Sequence, residues 1–125
     1  MARPRETAAV IAEHRDILVG VKVRLGTEPC GENVAAALDA ALEAATLAGV
    51  PLMAHISDGA DVLALLERMR PGDVVTHAFT GSPSGIRGDD GRIRPEVHQA
   101  AERGIRFDIG HGCGSFSWGT AEQAL

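Results

Sequence analysis

The sequence predicts an α/β protein built around a parallel sheet of about four strands. Short runs of β-branched and aliphatic residues recur along the chain, longer helical patterns separate them, and glycine or proline marks most of the boundaries. Strands that alternate with helices form βαβ units, whose right-handed crossovers place successive strands in parallel. The strand runs are apolar on both faces, which is typical of a parallel sheet that is covered on each side.

Four helices are predicted from apolar periodicity and from their end signals, and a fifth begins near the C-terminus. Pro4 and Pro95 open the first and the fourth, because proline suits the first turn of a helix. Gly49 closes the second in the usual position just past a helix end. Ser57 and Asp58 are N-cap residue types before the third. The four segments are PRETAAVIAEHRD, ENVAAALDAALEAATLAG, ADVLALLERMR and PEVHQAAERG.

Four strands are predicted between these helices. They are ILVGVKVRL, VPLMAHI, DVVTHAF and IRFDI, at residues 17–25, 50–56, 73–79 and 105–109. In the first strand Ile17, Val19, Val21 and Val23 form an aliphatic face suited to packing under helices, and the mixed opposite face suits a barrel interior. Only GSPSGIRGDDGRIR reads as a long loop, and no linker is evident. We therefore expect one domain over residues 1–125.

Composition narrows the range of functions. The formal net charge of -5 comes with scattered basic residues, so neither nucleic acid nor an anionic membrane is expected as a partner. No apolar run approaches the length that spans a bilayer. Cys30 and Cys113 form no CxxC pair, and no apolar signal segment follows Met1. These features predict a reduced, cytoplasmic protein.

A polar or ionisable residue stands towards the C-terminal end of each predicted strand. These residues are Lys22, His55, His77 and Asp108. In α/β architectures ligands and catalysts gather at the C-terminal ends of strands, and neighbouring strands lie roughly 4.8 Å apart. We therefore expect the four side chains to share one site. His14 and His98 fall on predicted helices and are given no role.

These residue types suit either metal or carbonyl chemistry. Neutral imidazole is a common zinc ligand, whereas an ammonium group has no lone pair to offer a metal. A lysine desolvated between Val21 and Val23 would have a lowered pKa and a nucleophilic amine. Such an amine can take up carbon dioxide as a carbamate, an anionic donor able to bridge two metal ions, or form a Schiff base with a carbonyl substrate. Spacing alone leaves both open.

Four blocks of the chain resemble consecutive parts of the amidohydrolase superfamily, in particular its dihydroorotase-like deacetylase branch. They are GVKVRLG, ENVAAALDAALEAATLAGVPLMAHISD, GDVVTHAFTG and GRIRPEVHQAAERGIRFDIGHGCGSFSW. The resemblance implies a partial TIM (β/α)₈ barrel of about four βα units, matching the family's fourth to seventh strands. It also implies one or two zinc ions and hydrolysis of a small-molecule amide, cyclic amide or ester by metal-activated water.

The resemblance assigns metal ligands residue by residue. Lys22 matches the lysine that the family carboxylates to N6-carboxylysine and uses to bridge the metals. His55 and His77 match the histidine ligands on the two following strands. The family also carries an HxH pair on its first strand and an aspartate in an STDLH-like block on its eighth, and this sequence contains neither block. The expected metal subsite is therefore Lys22, His55 and His77.

The resemblance further places catalytic residues beside the substrate. Asp108 and His111, in FDIGHG, match a pair at the end of the family's seventh strand. Arg24 would bind substrate near the site entrance, and from its residue type alone it suits pairing with an acid or a substrate anion.

Two alternatives remain open. The chain could be a truncated, catalytically inactive fragment that at most binds metal, or a Schiff-base lyase that uses Lys22. Part of a barrel cannot close its sheet, and both edge strands then keep unpaired backbone groups. We therefore also expect self-association through the open sheet edges.

Overall fold

The computed structural model describes residues 2–112 and 114–125, so the expectation for Cys113 lies outside the described residues. Four parallel strands form one sheet in the order β1-β2-β3-β4. The strands are β1 (Val21–Leu25), β2 (Leu52–Ile56), β3 (Val74–Thr76) and β4 (Arg106–Phe107). The described helices are α1 (Pro4–Glu13), α2 (Thr27–Cys30), α3 (Val34–Ala48), α4 (Val62–Arg68), α5 (Pro95–Glu102) and α6 (Trp118–Ala124). The predicted α/β class with parallel strands is confirmed.

Proline and glycine set helix ends as the sequence predicts. Pro4 and Pro95 begin α1 and α5. Gly49 ends α3 with a φ of 64°, in the left-handed conformation that glycine adopts at little cost. The short helix α2 is not predicted, because one turn of helix carries no readable periodicity.

The N-cap of α4 is Asp61, so the prediction of Ser57 or Asp58 as its cap is wrong. The Asp61 carboxylate accepts hydrogen bonds from the backbone N–H groups of Leu63 and Ala64, each at 3.1 Å. Ser57 instead donates its hydroxyl to a backbone carbonyl at the end of β1, at 2.8 Å. The two earlier residues therefore shape the turn after β2, and the helix starts later.

The first strand is shorter than predicted because residues 14–18 form the turn that follows α1. The N–H groups of Ile17 and Leu18 donate to the carbonyl of His14, and β1 begins only at Val21. Ile17 is 70% exposed and Val19 is 77% exposed. The predicted aliphatic face is therefore wrong at its first two residues.

The third and fourth strands both end earlier than the sequence predicts. His77 has a φ of 59°, which takes the backbone out of the extended conformation directly after Thr76. Beyond Phe107 the chain stays beside β3 through individual backbone hydrogen bonds. In one of them the Asp108 N–H donates to the carbonyl of Val75. His77 and Asp108 therefore lie just beyond the strands that were predicted to contain them.

The two faces of the sheet differ in cover. One face packs under the helices and supplies the buried strand residues Leu25, Leu52, Ala54, Ile56 and Val75. The opposite face carries two rows of side chains across the strands, because partners in register share a face. The lower row is Lys22, Met53, Val74 and Arg106. The upper row is Arg24, His55 and Thr76.

The segments that follow β3 and β4 are held together above the sheet. Thr80 and Phe116 form an isolated antiparallel bridge. The hydroxyl of Thr120, at the start of α6, donates to the carbonyl of Thr80 at 3.1 Å. These contacts place the glycine-rich segment after β4 beside the end of β3. No described helix is both long and apolar enough to cross a membrane.

Candidate metal and substrate site

Strand register places Arg24, rather than Lys22, level with His55. Arg24 pairs with His55 between β1 and β2, whereas Lys22 pairs with Met53 one row lower. Lys22 is the second residue of β1, so its expected place towards the C-terminal end of the strand is wrong. It is also exposed, and the desolvation expected between Val21 and Val23 is therefore absent.

Three histidine rings form a row at the C-terminal ends of β2, β3 and β4. His55 and His77 stack with ring centroids 3.6 Å apart and ring planes within 8° of parallel. His111 follows, with its centroid 5.2 Å from that of His77 and its plane tilted by 58°. Phe116 and His111 pack in a T-shaped arrangement, with ring centroids 5.4 Å apart. The fold thus brings the predicted histidines together, as their strand-end positions suggest.

Burial and neighbouring positive charge keep His55 neutral. Its pKa is lowered from 6.5 to about 4, first by desolvation and then by His77, Arg24, Lys22 and His111. Lys22 therefore acts on the histidine row electrostatically although it stands one row lower. At neutral pH the His55 ring keeps a lone pair that can serve a ligand.

The other two rings are shifted in the same direction. Desolvation and then Lys22 lower the pKa of His77, while the carboxylate of Asp108 partly opposes them. Desolvation and then His77 lower the pKa of His111, again with Asp108 opposing. All three imidazoles consequently favour the neutral form, which is the form that binds metal.

Two residues that the sequence did not single out hold Asp108 in place. Thr76 is buried, and its hydroxyl donates to Asp108 Oδ1 at 2.5 Å and lies 3.3 Å from His77 Nδ1. Gly110 packs against this group, since a Cβ on it would lie 2.1 Å from Thr76 Oγ1 and 2.8 Å from Asp108 Oδ1. A glycine two residues after an expected catalytic aspartate is a signal that sequence reading could have used.

His111 is anchored through one ring nitrogen. Its Nδ1 lies 2.8 Å from the hydroxyl of Ser115. Its buried Nε2 has no hydrogen-bond partner among the described residues. Buried polar atoms are usually paired, so this nitrogen is available to a ligand or a water molecule.

A cavity of about 720 Å³ lies beside the histidine row. Among the expected site residues Arg24, His55 and His77 line it, whereas Lys22, Asp108 and His111 do not. The guanidinium of Arg24 donates to Glu28 Oε2 at 2.6 Å, and both side chains are exposed. Arg24 is therefore paired with an acid, as one of the two expectations for it allowed, and exposed pairs of this kind exchange readily.

The histidine nitrogens are suitable donors for a metal ion, but the His55 and His77 rings are not oriented so that both can bind the same ion. Within residues 2–112 and 114–125, no three His, Cys, Asp or Glu side chains are grouped so that they could hold a metal. The two ring planes are within 8° of parallel and their centroids are 3.6 Å apart, so an ion between the stacked rings would lie out of both ring planes. Lone pairs lie in the ring plane and Zn–N bonds are about 2.0–2.1 Å, so one ring must rotate before both rings can bind the same ion.

Sequence comparison finds deacetylases. The chain is 37% identical over 121 residues to a deacetylase of Enterococcus faecalis, a match that covers 92% of this chain and 32% of the relative. It is 35% identical over 115 residues to a deacetylase of Agrobacterium fabrum, covering 91% and 28% of the two chains. A deacetylase of Brucella anthropi is 34% identical over 121 residues, with 96% and 29% covered. No family model matches the chain.

Comparison with solved structures finds related enzymes at similar identity, among them an adenine deaminase and a dihydroorotase. An adenine deaminase superposes with a TM-score of 0.90 at 35% identity, covering 98% of this chain and 34% of the other. A dihydroorotase superposes with a TM-score of 0.82 at 34% identity, covering 98% and 32%. The chain spans about a third of the length of the relatives that it matches. The chain is homologous to part of amidohydrolase-superfamily enzymes, and its four parallel strands match part of their (β/α)₈ barrel.

Proposed function

We propose that this chain carries part of the active site of a metal-dependent hydrolase that cleaves C–N bonds of small amides or cyclic amides, or related esters. The observation that carries the proposal is the pair of neutral histidines, His55 and His77, beside a cavity at the C-terminal end of a parallel sheet. The relatives named deacetylase and dihydroorotase support the reaction class. Ligand sites occupy this end of the sheet in barrel enzymes.

Zinc is the proposed metal. His55 and His77 would hold it through ring nitrogens, and Lys22 would join them as N6-carboxylysine, since an ammonium group cannot ligate a metal. When bound, the metal would polarise the substrate carbonyl and lower the pKa of the attacking water. The exposure of Lys22 leaves its amine accessible to carbon dioxide.

Asp108, His111 and Arg24 are proposed to act on the substrate. Asp108 would stand beside the substrate and serve there in general acid–base catalysis. The unpaired Nε2 of His111 would contact the substrate. Arg24 would exchange its exposed partner Glu28 for an anionic or carbonyl group of the substrate at the cavity rim.

The second candidate is a catalytically inactive fragment that at most binds metal. Two observations favour it: the His55 and His77 rings do not converge on one point, and no three-donor group of His, Cys, Asp or Glu occurs within the part of the chain that the structure describes. A Schiff-base reaction at Lys22 is weaker, because such a site has no need of the two adjacent histidines.

Zinc stoichiometry and hydrolysis on the purified chain separate these candidates. We expect wild type to bind zinc and to hydrolyse members of a panel of N-acetyl amides, cyclic amides and esters. His55→Gln and His77→Gln should lose both properties. His98→Gln is the matched control, because it removes an exposed imidazole on α5. Absence of hydrolysis, with or without zinc binding, would select the second candidate, and failure to bind zinc would also refute the proposed metal site.

Carboxylation of Lys22 can be read directly, because it is the only lysine in the sequence. With ¹³C-labelled bicarbonate and zinc, we expect a carbamate resonance that Lys22→Arg abolishes, which also separates it from a carbamate on the terminal amine. If the two proteins give the same spectrum, Lys22 is not the ligand. Borohydride reduction with a carbonyl compound tests the Schiff base, and an adduct on Lys22 in a chain that binds no zinc would favour the lyase.

We also propose self-association through the open sheet edges. Within the described sheet β1 and β4 each pair with one neighbour only, and exposed Ile17 and Val19 precede β1. Light scattering should show a dimer or a larger species, and Val19→Lys should weaken it. Leu47→Lys, at an exposed position on α3, is the control and should leave the association unchanged. A monodisperse monomer with a sharp cooperative melt would contradict this proposal.

A further inference from the structure

His77 is held in a conformation that side-chain-bearing residues rarely adopt. It is the one non-glycine residue with a positive φ in the described part of the chain, at 59°. Such a backbone is strained, and it persists only where the surrounding structure determines it. The contacts around His77 therefore matter for how its ring is held.

The hydroxyl of Thr76 is the polar group that contacts both His77 and Asp108. The Thr76 side chain is 2% exposed, with Oγ1 lying 2.5 Å from Asp108 Oδ1 and 3.3 Å from His77 Nδ1. A hydroxyl has one proton, and a carboxylate only accepts, so this proton is committed to Asp108. The contact with His77 is then attractive only if Nδ1 carries a proton and donates it to Oγ1.

The segment after β4 encloses this arrangement. Gly110 has a φ of 42°, and a Cβ on it would lie 2.1 Å from Thr76 Oγ1 and 3.4 Å from His77 Nδ1. A glycine at this position lets the backbone close over the hydroxyl, which limits the access of water. The hydroxyl consequently has few partners other than the carboxylate and the imidazole.

We propose that Thr76 is a positioning residue that orients Asp108 and fixes His77 as its Nδ1–H tautomer, which leaves the free lone pair of the ring on Nε2. A neutral imidazole has one protonated nitrogen, so fixing Nδ1–H determines the other atom. The role of Nε2 as a zinc donor rests on the proposed function, whereas the tautomer itself does not. Partners of this kind orient metal-ligating histidines in other proteins.

Histidine ring ¹⁵N–¹H correlation spectra of the full chain, recorded without metal at a pH where the rings are neutral, test the tautomer. The His77 signals are assigned by comparison with His77→Gln. We expect the Nδ1–H pattern in wild type, its loss or mixing in Thr76→Val, and its return in Thr76→Ser. Thr7→Val removes an exposed hydroxyl on α1 and is the control that should leave the pattern unchanged.

Zinc affinity is the second measurement that tests the role of Thr76. Loss of a partner that orients a ligand typically weakens metal binding about 10–100-fold, so Thr76→Val should bind zinc that much more weakly than Thr76→Ser. An Nε2–H pattern for His77 in wild type would overturn the proposal whether or not any variant folds. An unchanged pattern in folded Thr76→Val would overturn it as well. Absence of zinc binding in wild type, with the Nδ1–H pattern present, refutes the proposed function and supports the role of Thr76.

Discussion

Replacing Asp73 by alanine is expected to destabilise the fold by about 2–4 kcal/mol. Asp73 is 1% exposed and lies immediately before β3, at the end of the sheet opposite the histidines. Its Oδ1 accepts a hydrogen bond from the Leu52 N–H at 2.8 Å. Its Oδ2 accepts from the Arg70 N–H at 2.8 Å, and the Arg70 guanidinium donates to both carboxylate oxygens. One carboxylate thereby joins β2, β3 and the end of α4.

The expected destabilisation by Asp73→Ala follows from the groups that lose a hydrogen-bond partner when the carboxylate is removed. The Leu52 N–H is buried at the start of β2, and an unpaired buried donor costs roughly 1–3 kcal/mol. Hydrogen bonds to a charged group contribute about 1.5–3 kcal/mol. Breaking a fully buried ion pair costs about 3–5 kcal/mol, but the Arg70 side chain is 36% exposed, so water recovers part of that loss.

Urea unfolding and thermal melting measure the effect. A loss of this size should lower the melting temperature by about 10 °C in a domain of this length. Asp73→Asn keeps an acceptor for Leu52 and should fall between wild type and Asp73→Ala. Asp89→Ala, in the exposed loop before α5, is the matched control. If Asp73→Ala shifts the unfolding midpoint no more than Asp89→Ala does, the reasoning is refuted.

Three further predictions concern the site and its supports. Gly110→Ala should lower stability by roughly 1–3 kcal/mol, because the added methyl overlaps Thr76. Gly112→Ala is the control and should leave stability unchanged, because a Cβ there meets nothing within 4 Å. Equal melting temperatures for the two variants would contradict this prediction. Stability should fall as the pH drops from about 6.5 towards about 4, because the lowered pKa of His55 makes the unfolded chain bind more protons in that window. Melting curves across this range should show a slope that His55→Gln reduces, and an unchanged slope would count against the assignment. Asp61→Ala should cost about 1 kcal/mol in urea unfolding through loss of the α4 cap, and no change would show that another group caps the helix.

Local sequence signals predicted most of the helices and strands. They predicted the ends of the helices and strands less consistently. Pro4, Pro95 and Gly49 mark helix ends because the ring of proline and the absence of a Cβ in glycine restrict or free the backbone at that residue alone. Strand ends depend on neighbouring chains instead. Ile17 and Val19 read as strand residues, yet no neighbouring strand pairs with them within the described sheet. The cap of α4 was placed too early, because Ser57, Asp58 and Asp61 all have side chains that suit it.

The sequence by itself determined the order of helices and strands and the placing of two histidines at strand ends, because hydrophobic periodicity and strand polarity are local properties. Only the tertiary structure decided that Arg24 rather than Lys22 stands level with His55, since register is a relation between strands. It also decided that Thr76 and Gly110 support Asp108. Their roles arise from contacts between β3 and the segment after β4, more than thirty residues apart in the chain, which no local pattern encodes.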